Sequence, residues 1–277
     1  MTASLSEIIK ARGIPRVAGI PWNTCVVTRQ YLADRLGFVP RSVYIGIIPY
    51  LTEEYVNSPR RTVSAYAAGY DYHLFIKETG QLIVEDAKAA FPGANFAVFG
   101  DRSPIDERRA AAAAGLGVLG KNGLLITPGY SSYVFLFEII SDIEPDTVPR
   151  EPGNCPGCGA CINSCPSLRE GRECLSSLTQ KKGGLTPDEE DFIRRNGSVW
   201  GCDVCQEVCP LTKRAIESGS AFTNIDFFKK NVRTAPGISD IEDASDFAKR
   251  AYSWRGKDVI LRNMRITGEA PDNEENK

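Results

Sequence analysis

Eight of the nine cysteines fall between Cys155 and Cys209, and their spacing sets out ligands for iron. The first run is Cys155-x2-Cys158-x2-Cys161-x3-Cys165, followed by Pro166. The second is Cys174 and then, after a long insertion, Cys202-x2-Cys205-x3-Cys209, followed by Pro210. Thiolates at i, i+3 and i+6 wrap one 4Fe–4S cubane, while the fourth, beside proline, points away and ligates a second. This crossover gives Cys155, Cys158, Cys161 and Cys209 to one cluster. The other takes Cys165, Cys174, Cys202 and Cys205. Zinc prefers two cysteine pairs, four thiolates to an ion, and has no use for the triplet. Disulfides require an oxidising compartment, and the polar stretch Met1 to Gly13 lacks the apolar centre of a secretion signal. No run approaches the roughly eighteen apolar residues of a membrane span. The spacing predicts a cytoplasmic redox protein carrying two 4Fe–4S clusters.

Clusters pass single electrons, so another part of the chain must hold what receives them. Asp101 directly follows the apolar run Asn95 to Phe99 and Gly100, and ligands gather beyond the carboxyl ends of strands in open α/β sheets. The plain alternative is that Asp101 only ties down a turn. Pro104 and Glu107 open the next helix, and Ser103 is placed to cap it. Gly115-Leu-Gly117-Val-Leu-Gly120 fits G-x-G-x-x-G literally, but it ends a helix and leads into a strand, the reverse of a dinucleotide fingerprint. The run to Gly123, with Lys121 and Asn122 inside it, reads instead as a loop whose bare backbone lets a bulky ligand approach. Lys121 could then meet a phosphate or carboxylate. His73 is the only histidine, in Gly69-Tyr-Asp71-Tyr72-His73. Asp71-x-His73 starts the motif by which some corrinoid proteins present an axial histidine, yet the glycine due three residues on is Ile76. Cys25 reads as a small core residue.

The elements that must position these groups follow from periodicity. Helices are expected over Ser4 to Arg12, Thr28 to Leu36, Ser64 to Ala90 with interruptions near Gly69 and Gly80, and Asp106 to Ala114. Strands are expected over Ser42 to Ile48, Asn95 to Phe99, Leu124 to Thr127 and Tyr133 to Ile140. The alternation predicts an α/β layered domain over residues 1–148, within an α+β chain. Three prolines between Pro145 and Gly153 mark a linker. A ferredoxin-like domain with the two clusters is expected over 149–216, a helical segment over 217–268 and an acidic tail over 269–277. The net charge of −2 gives no general pull toward nucleic acid.

Together these segments resemble the epoxyqueuosine reductase family. Ile47-Ile-Pro49-Tyr50, Ala65-Tyr-Ala-Ala-Gly69-Tyr-Asp71-Tyr-His73, Asp101-Arg-Ser-Pro104-Ile-Asp-Glu107-Arg108 and Ala114-Gly-Leu-Gly117-Val-Leu-Gly120-Lys121-Asn122 match its first domain in order. Glu173-Cys174-Leu-Ser-Ser-Leu-Thr179 and Gly201-Cys-Asp-Val-Cys205-Gln-Glu-Val-Cys209-Pro210 match its cluster half. The likeness to corrinoid reductive dehalogenases is more distant. The resemblance implies cobalamin lying between the first domain and the clusters, bound without a histidine on cobalt. It implies contacts from Tyr72, His73, Ser103, Gly117, Gly120, Lys121 and Asn122, and Asp101 as proton donor. It also implies reduction of epoxyqueuosine in tRNA, fed by a ferredoxin or flavodoxin. Trp254-Arg-Gly256-Lys-Asp-Val-Ile-Leu-Arg262-Asn263 is similar to the lead-in to the family's helical repeats, but an acidic tail follows here in their place. A small-molecule substrate is therefore the alternative, and an electron-transfer subunit without its own substrate is the third reading.

Overall fold

The computed structural model describes residues 3–150 and 153–269. The acidic tail expected over 269–277 thus lies, but for Glu269, outside the described residues, as do Glu151 and Pro152 of the expected linker. The chain divides into two compact units, each discontinuous in sequence. Residues up to 49, 72–158 and 214–221 form the first; 50–71, 159–213 and those from 222 on form the second.

The first unit holds the strands β1 (Arg16–Pro21), β2 (Ser42–Pro49), β3 (Phe96–Gly100), β4 (Val118–Leu119), β5 (Leu125–Ile126) and β6 (Val134–Ser141). Four of them make one sheet in the order β1-β2-β6-β3, and β4 pairs with β5. Every pairing is antiparallel. The strand-end rule for parallel sheets therefore loses its basis here, and the chain is α+β. Asp101 is placed by the end of the β3–β6 ladder, where Gly100 faces Phe137. β2 is the centre of the core: all eight of its residues are buried.

Three helices cover this sheet. In α1 (Leu5–Ala11), Ser4 and Glu7 form a reciprocal capping box, and Leu5, Ile8 and Ile9 are buried at helical spacing. α2 (Tyr72–Ala90) buries Ile76, Gly80, Ile83 and Ala87. The sequence reading broke this helix at Gly80; the structure runs through it. A Cβ there would stand 2.8 Å from Val98 Cγ1, so the glycine lets helix and strand approach rather than ending the helix. α3 (Glu107–Ala113) packs Ala110, Ala111 and Ala112 into a cluster with Ile20, Val43, Ile45 and Ile140. Because side chains alternate along a strand, α2 over Val98 and α3 over Leu136 and Ile140 sit on opposite faces. The helix expected over Thr28 to Leu36 is one turn, Gln30–Ala33.

The second unit is helical. It contains α4 (Ala160–Asn163), α5 (Pro166–Arg169), α6 (Leu175–Thr179), α7 (Pro187–Asn196), α8 (Val204–Glu207) and α9 (Lys257–Thr267), with further helices elsewhere. Its apolar centre is Leu175, Leu178, Phe192 and Ile193. α7 starts on a capping box between Thr186 and Glu189, with Pro187 in its first turn, and stops at left-handed Gly197. The helical stretch expected from Ser218 to Arg265 is broken into short turns until α9. No helix among the described residues is long and apolar enough to cross a membrane.

Candidate active site and cluster ligands

Asp101 has φ of 64°, one of three non-glycine residues with positive φ among those described. Arg102 N–H donates to Gly100 O across it at 2.7 Å, closing a three-residue turn. A non-glycine residue held there is strained, and the surroundings must over-determine it. They do. Pro104 O accepts from Thr28 N–H at 2.9 Å and from Arg29 N–H at 3.0 Å, and Asp106 N–H donates to Val26 O at 2.9 Å. The Arg29 guanidinium donates to Ser103 O at 2.8 Å.

Asp101 lies on a cleft of about 180 Å³ whose walls include Tyr72, Glu107, Arg108, Leu125 and Phe135. Tyr72 stacks on Phe135 with ring centroids 4.0 Å apart and planes 11° apart, giving the cleft a flat aromatic wall. Of the other cofactor contacts expected from the resemblance, Tyr72 alone lines this cleft. His73 lines a separate groove with Ile76, Gly80 and Val98. Ser103 is fully buried and caps nothing; its Oγ accepts from Ile105 N–H at 3.4 Å, while the cap of α3 is Asp106. The Gly115–Gly123 run is loop and turn except for β4, Val118–Leu119, which pairs with β5 in a tight hairpin. Gly117 is bare because a Cβ would meet Ile126 O at 2.5 Å, so its space belongs to the chain itself. Asn122 Oδ1 accepts from Leu124 N–H at the hairpin tip, close to Gly120. Lys121 reaches toward Gly157, between Cys155 and Cys158.

Two acids were missed. Glu107, the first residue of α3, has its carboxyl pushed up to about 7, by burial first and then by the charge of Asp101. Glu138 of β6 is completely buried, and burial, then Glu107, raises its carboxyl well above the usual range. A charged residue inside the apolar run Val134–Ser141 was the available signal. Carboxyls raised by folding stabilise the fold below their unfolded value, 4.5 for Glu107, and that contribution is lost as pH rises through about 7. The melting temperature of wild type is therefore expected to fall across neutral pH more steeply than that of Glu107→Gln. Parallel curves would show that Glu107 titrates normally.

All eight motif cysteines are free thiols. Cys165 and Cys174 are the N-cap residues of α5 and α6, Cys165 with Pro166 directly inside the helix. Cys161 in α4 and Cys205 in α8 lie on helices that pack together. Burial pushes the Cys202 thiol up to about 12, with Cys205 and Cys174 near enough to add to the effect. A thiol held out of water as Cys202 is suits iron, whose charge would take it as a thiolate, whereas Cys158 and Cys174 are exposed. Asp203 pins the turn between Cys202 and Cys205. It accepts from Tyr55 Oη at 2.9 Å, Ser64 Oγ at 2.5 Å, Ala65 N–H at 2.7 Å and Gln206 Nε2 at 2.8 Å. From α9, Asn263 Nδ2 donates to Thr179 O and Val199 O, holding the approach to Cys202.

A cysteine scaffold for iron together with an acid-bearing cleft defines an iron–sulfur oxidoreductase. The profile of the 4Fe-4S double cluster binding domain matches residues 154–212. The epoxyqueuosine reductase of Gloeobacter violaceus is 32% identical over 215 residues, 74% of this chain and 67% of that protein. Other curated epoxyqueuosine reductases are longer, the chain spanning 52% of the Bacillus subtilis protein and 63% of that from Xanthomonas campestris. An epoxyqueuosine reductase solved with an epoxyqueuosine-modified tRNA-Tyr stem loop superposes at TM-score 0.73, with 25% identity over 95% of this chain and 79% of that one. The Bacillus subtilis reductase, solved with its aspartate catalytic loop swung out of the active site, superposes at 0.71 with 25% identity, over 95% and 79% of the two chains. The chain belongs to the epoxyqueuosine reductase family.

Proposed function

We propose that this chain reduces epoxyqueuosine to queuosine in tRNA, using two 4Fe–4S clusters, a corrinoid and Asp101 as proton donor. The observation that carries the reading is Asp101 itself, held in a strained conformation on the rim of an apolar cleft. In the Bacillus subtilis relative the catalytic loop likewise carries an aspartate. The cleft residues fit the edge of a corrinoid: the Tyr72–Phe135 stack and Leu125 offer a flat apolar wall, and Arg108 a cation. When bound, the corrinoid supplies low-potential cobalt chemistry that delivers electrons to carbon. The chain does the rest. The cysteine sets, Cys155, Cys158, Cys161 and Cys209, then Cys165, Cys174, Cys202 and Cys205, hold the iron. Tyr72 and Phe135 exclude water from one side of the cleft, and Asp101 delivers a proton to the leaving oxygen, within hydrogen-bond reach as a general acid must be.

The test uses protein purified anaerobically with iron and supplied with cobalamin, a chemical reductant and an epoxyqueuosine-bearing stem loop. Nucleoside mass spectrometry is expected to show loss of one oxygen. Retained corrinoid absorption with an unchanged nucleoside would turn the reading to a small-molecule substrate. A spectrum of clusters alone would make the chain an electron carrier.

A further inference from the structure

Glu138 has no part in that reading, yet its placement demands one. It is fully buried on the sheet face that α3 covers, and neither carboxyl oxygen has a partner of full hydrogen-bond geometry, although the Ser103 hydroxyl stands near enough to favour the charged form. An ionised carboxylate so placed costs several kcal/mol unless paired. The nearby cation, Arg29, gives an N–H to the Ser103 carbonyl instead. The sheet register sets Glu138 opposite Phe99, two residues before Asp101. The helix over this face begins with Glu107, whose Oε2 is also buried without a partner. Glu107 and Asp101 both line the cleft. Three carboxyls from three elements thus lead from the interior of the sheet, through the cleft wall, to its rim.

We propose that Glu138 and Glu107 hold a proton between them in the resting protein, and that Glu107 passes it to Asp101 after Asp101 has donated its own. This rests on Asp101 as donor. Removing an epoxide oxygen as water consumes two protons along with two electrons, whereas Asp101 carries one. In the step proposed, the Glu107 O–H bond breaks as an Asp101 O–H bond forms, leaving Glu107 ionised. Water entering the cleft then returns a proton to the pair. No electron moves in this exchange.

The groups around the pair favour holding a proton. Asp101 and Asp106 push protons onto Glu107, against Arg108 and Arg29. Around Glu138 stand Glu107 and Asp101, opposed by the Ser103 hydroxyl and Arg29, with the half-buried Cys25 thiol close by. Two neighbouring carboxyls away from water cannot both ionise cheaply, so they titrate as a unit. Burial outweighs the arginines: both carboxyls are raised, Glu107 to about 7.

Infrared difference spectroscopy of the cluster-loaded protein tests this through the carbonyl stretch of protonated carboxyls. Wild type is expected to show such a band at neutral pH, and Glu138→Gln to lose it. A wild-type spectrum without the band overturns the proposal and leaves the role of Asp101 untouched; this measurement needs no variant to fold. In steady-state turnover, Glu107→Gln is expected to be about 10-fold or more slower, within the range proton-transfer groups contribute. Glu107→Asp, which keeps a carboxyl, is expected to recover much of that rate. Equal rates in the two variants would reduce Glu107 to a structural residue and overturn the relay. Failure of Asp101 itself reads out separately, in single turnovers of Asp101→Asn.

Discussion

Asp101→Asn is expected to retain iron and corrinoid but lose about 10²- to 10⁴-fold in single-turnover reduction, the usual contribution of a positioned general acid. The amide is nearly isosteric with the acid. Asparagine also tolerates positive φ as well as aspartate does, so the turn at 64° has no reason to change. The bracing of the loop runs through backbone groups of Thr28, Arg29, Ser103 and Pro104 and the Arg29 guanidinium, in hydrogen bonds that do not involve the side chain exchanged. What the amide lacks is a proton to release at neutral pH. Iron content, corrinoid absorption and the rate must be read on the same sample. A near wild-type rate with cofactors intact would return Asp101 to the status of a turn residue and leave the donor elsewhere.

The second large effect is expected at Cys174. In the crossover scheme it serves only the cluster completed by Cys165, Cys202 and Cys205, and its nearness to Cys202 agrees with that grouping. Cys174→Ala should therefore keep about four of about eight irons, two cubanes less one. The loss should extend beyond the metal. Cys174 caps α6, whose Leu175 and Leu178 build the apolar centre of the second unit, so cluster and core are joined through a single residue. Iron analysis with electron paramagnetic resonance of the reduced protein distinguishes one lost cubane from none. Full iron retention would break the assignment.

Much of this was legible in the sequence, for identifiable reasons. The cysteine spacing is local and chemically demanding, so it announces a cluster domain without knowledge of the fold. Strands β2 and β6 are long apolar runs, and β3 ends at Gly100, one residue beyond its expected end and directly before Asp101. β1 was hidden because Gly19 and Pro21 interrupt a short segment that becomes a strand only by pairing with β2. Gly80 and Gly117 were misread for one reason: a glycine's local preference says break or open loop, but here a partner, Val98 or the Ile126 carbonyl, occupies the missing side chain's place. The sheet's antiparallel pairing was equally out of reach, since strand order depends on contacts that no single segment encodes. Asp101 was singled out for a reason that does not hold in an antiparallel sheet, and its candidacy now rests on its backbone geometry. Glu138 could have been found. A lone acid in the middle of β6 breaks the pattern of its own strand, and such breaks mark chemistry more often than error.

The anchoring of Asp203 has a consequence for how the protein is made. Its hydroxyl and amide donors, from Tyr55, Ser64 and Ala65, leave the ribosome well over a hundred residues before it does, and the Asn263 clamp on Thr179 and Val199 comes later still. During synthesis the early segment waits without its acceptor, and the turn bearing Cys202 and Cys205 is synthesised before the side chain that steadies its approach. Iron delivery that succeeds only after α9 has emerged would spare the nascent chain from trapping metal on a half-ordered set of thiols. Of these contacts, the clamp from α9 is thus the last that synthesis makes available.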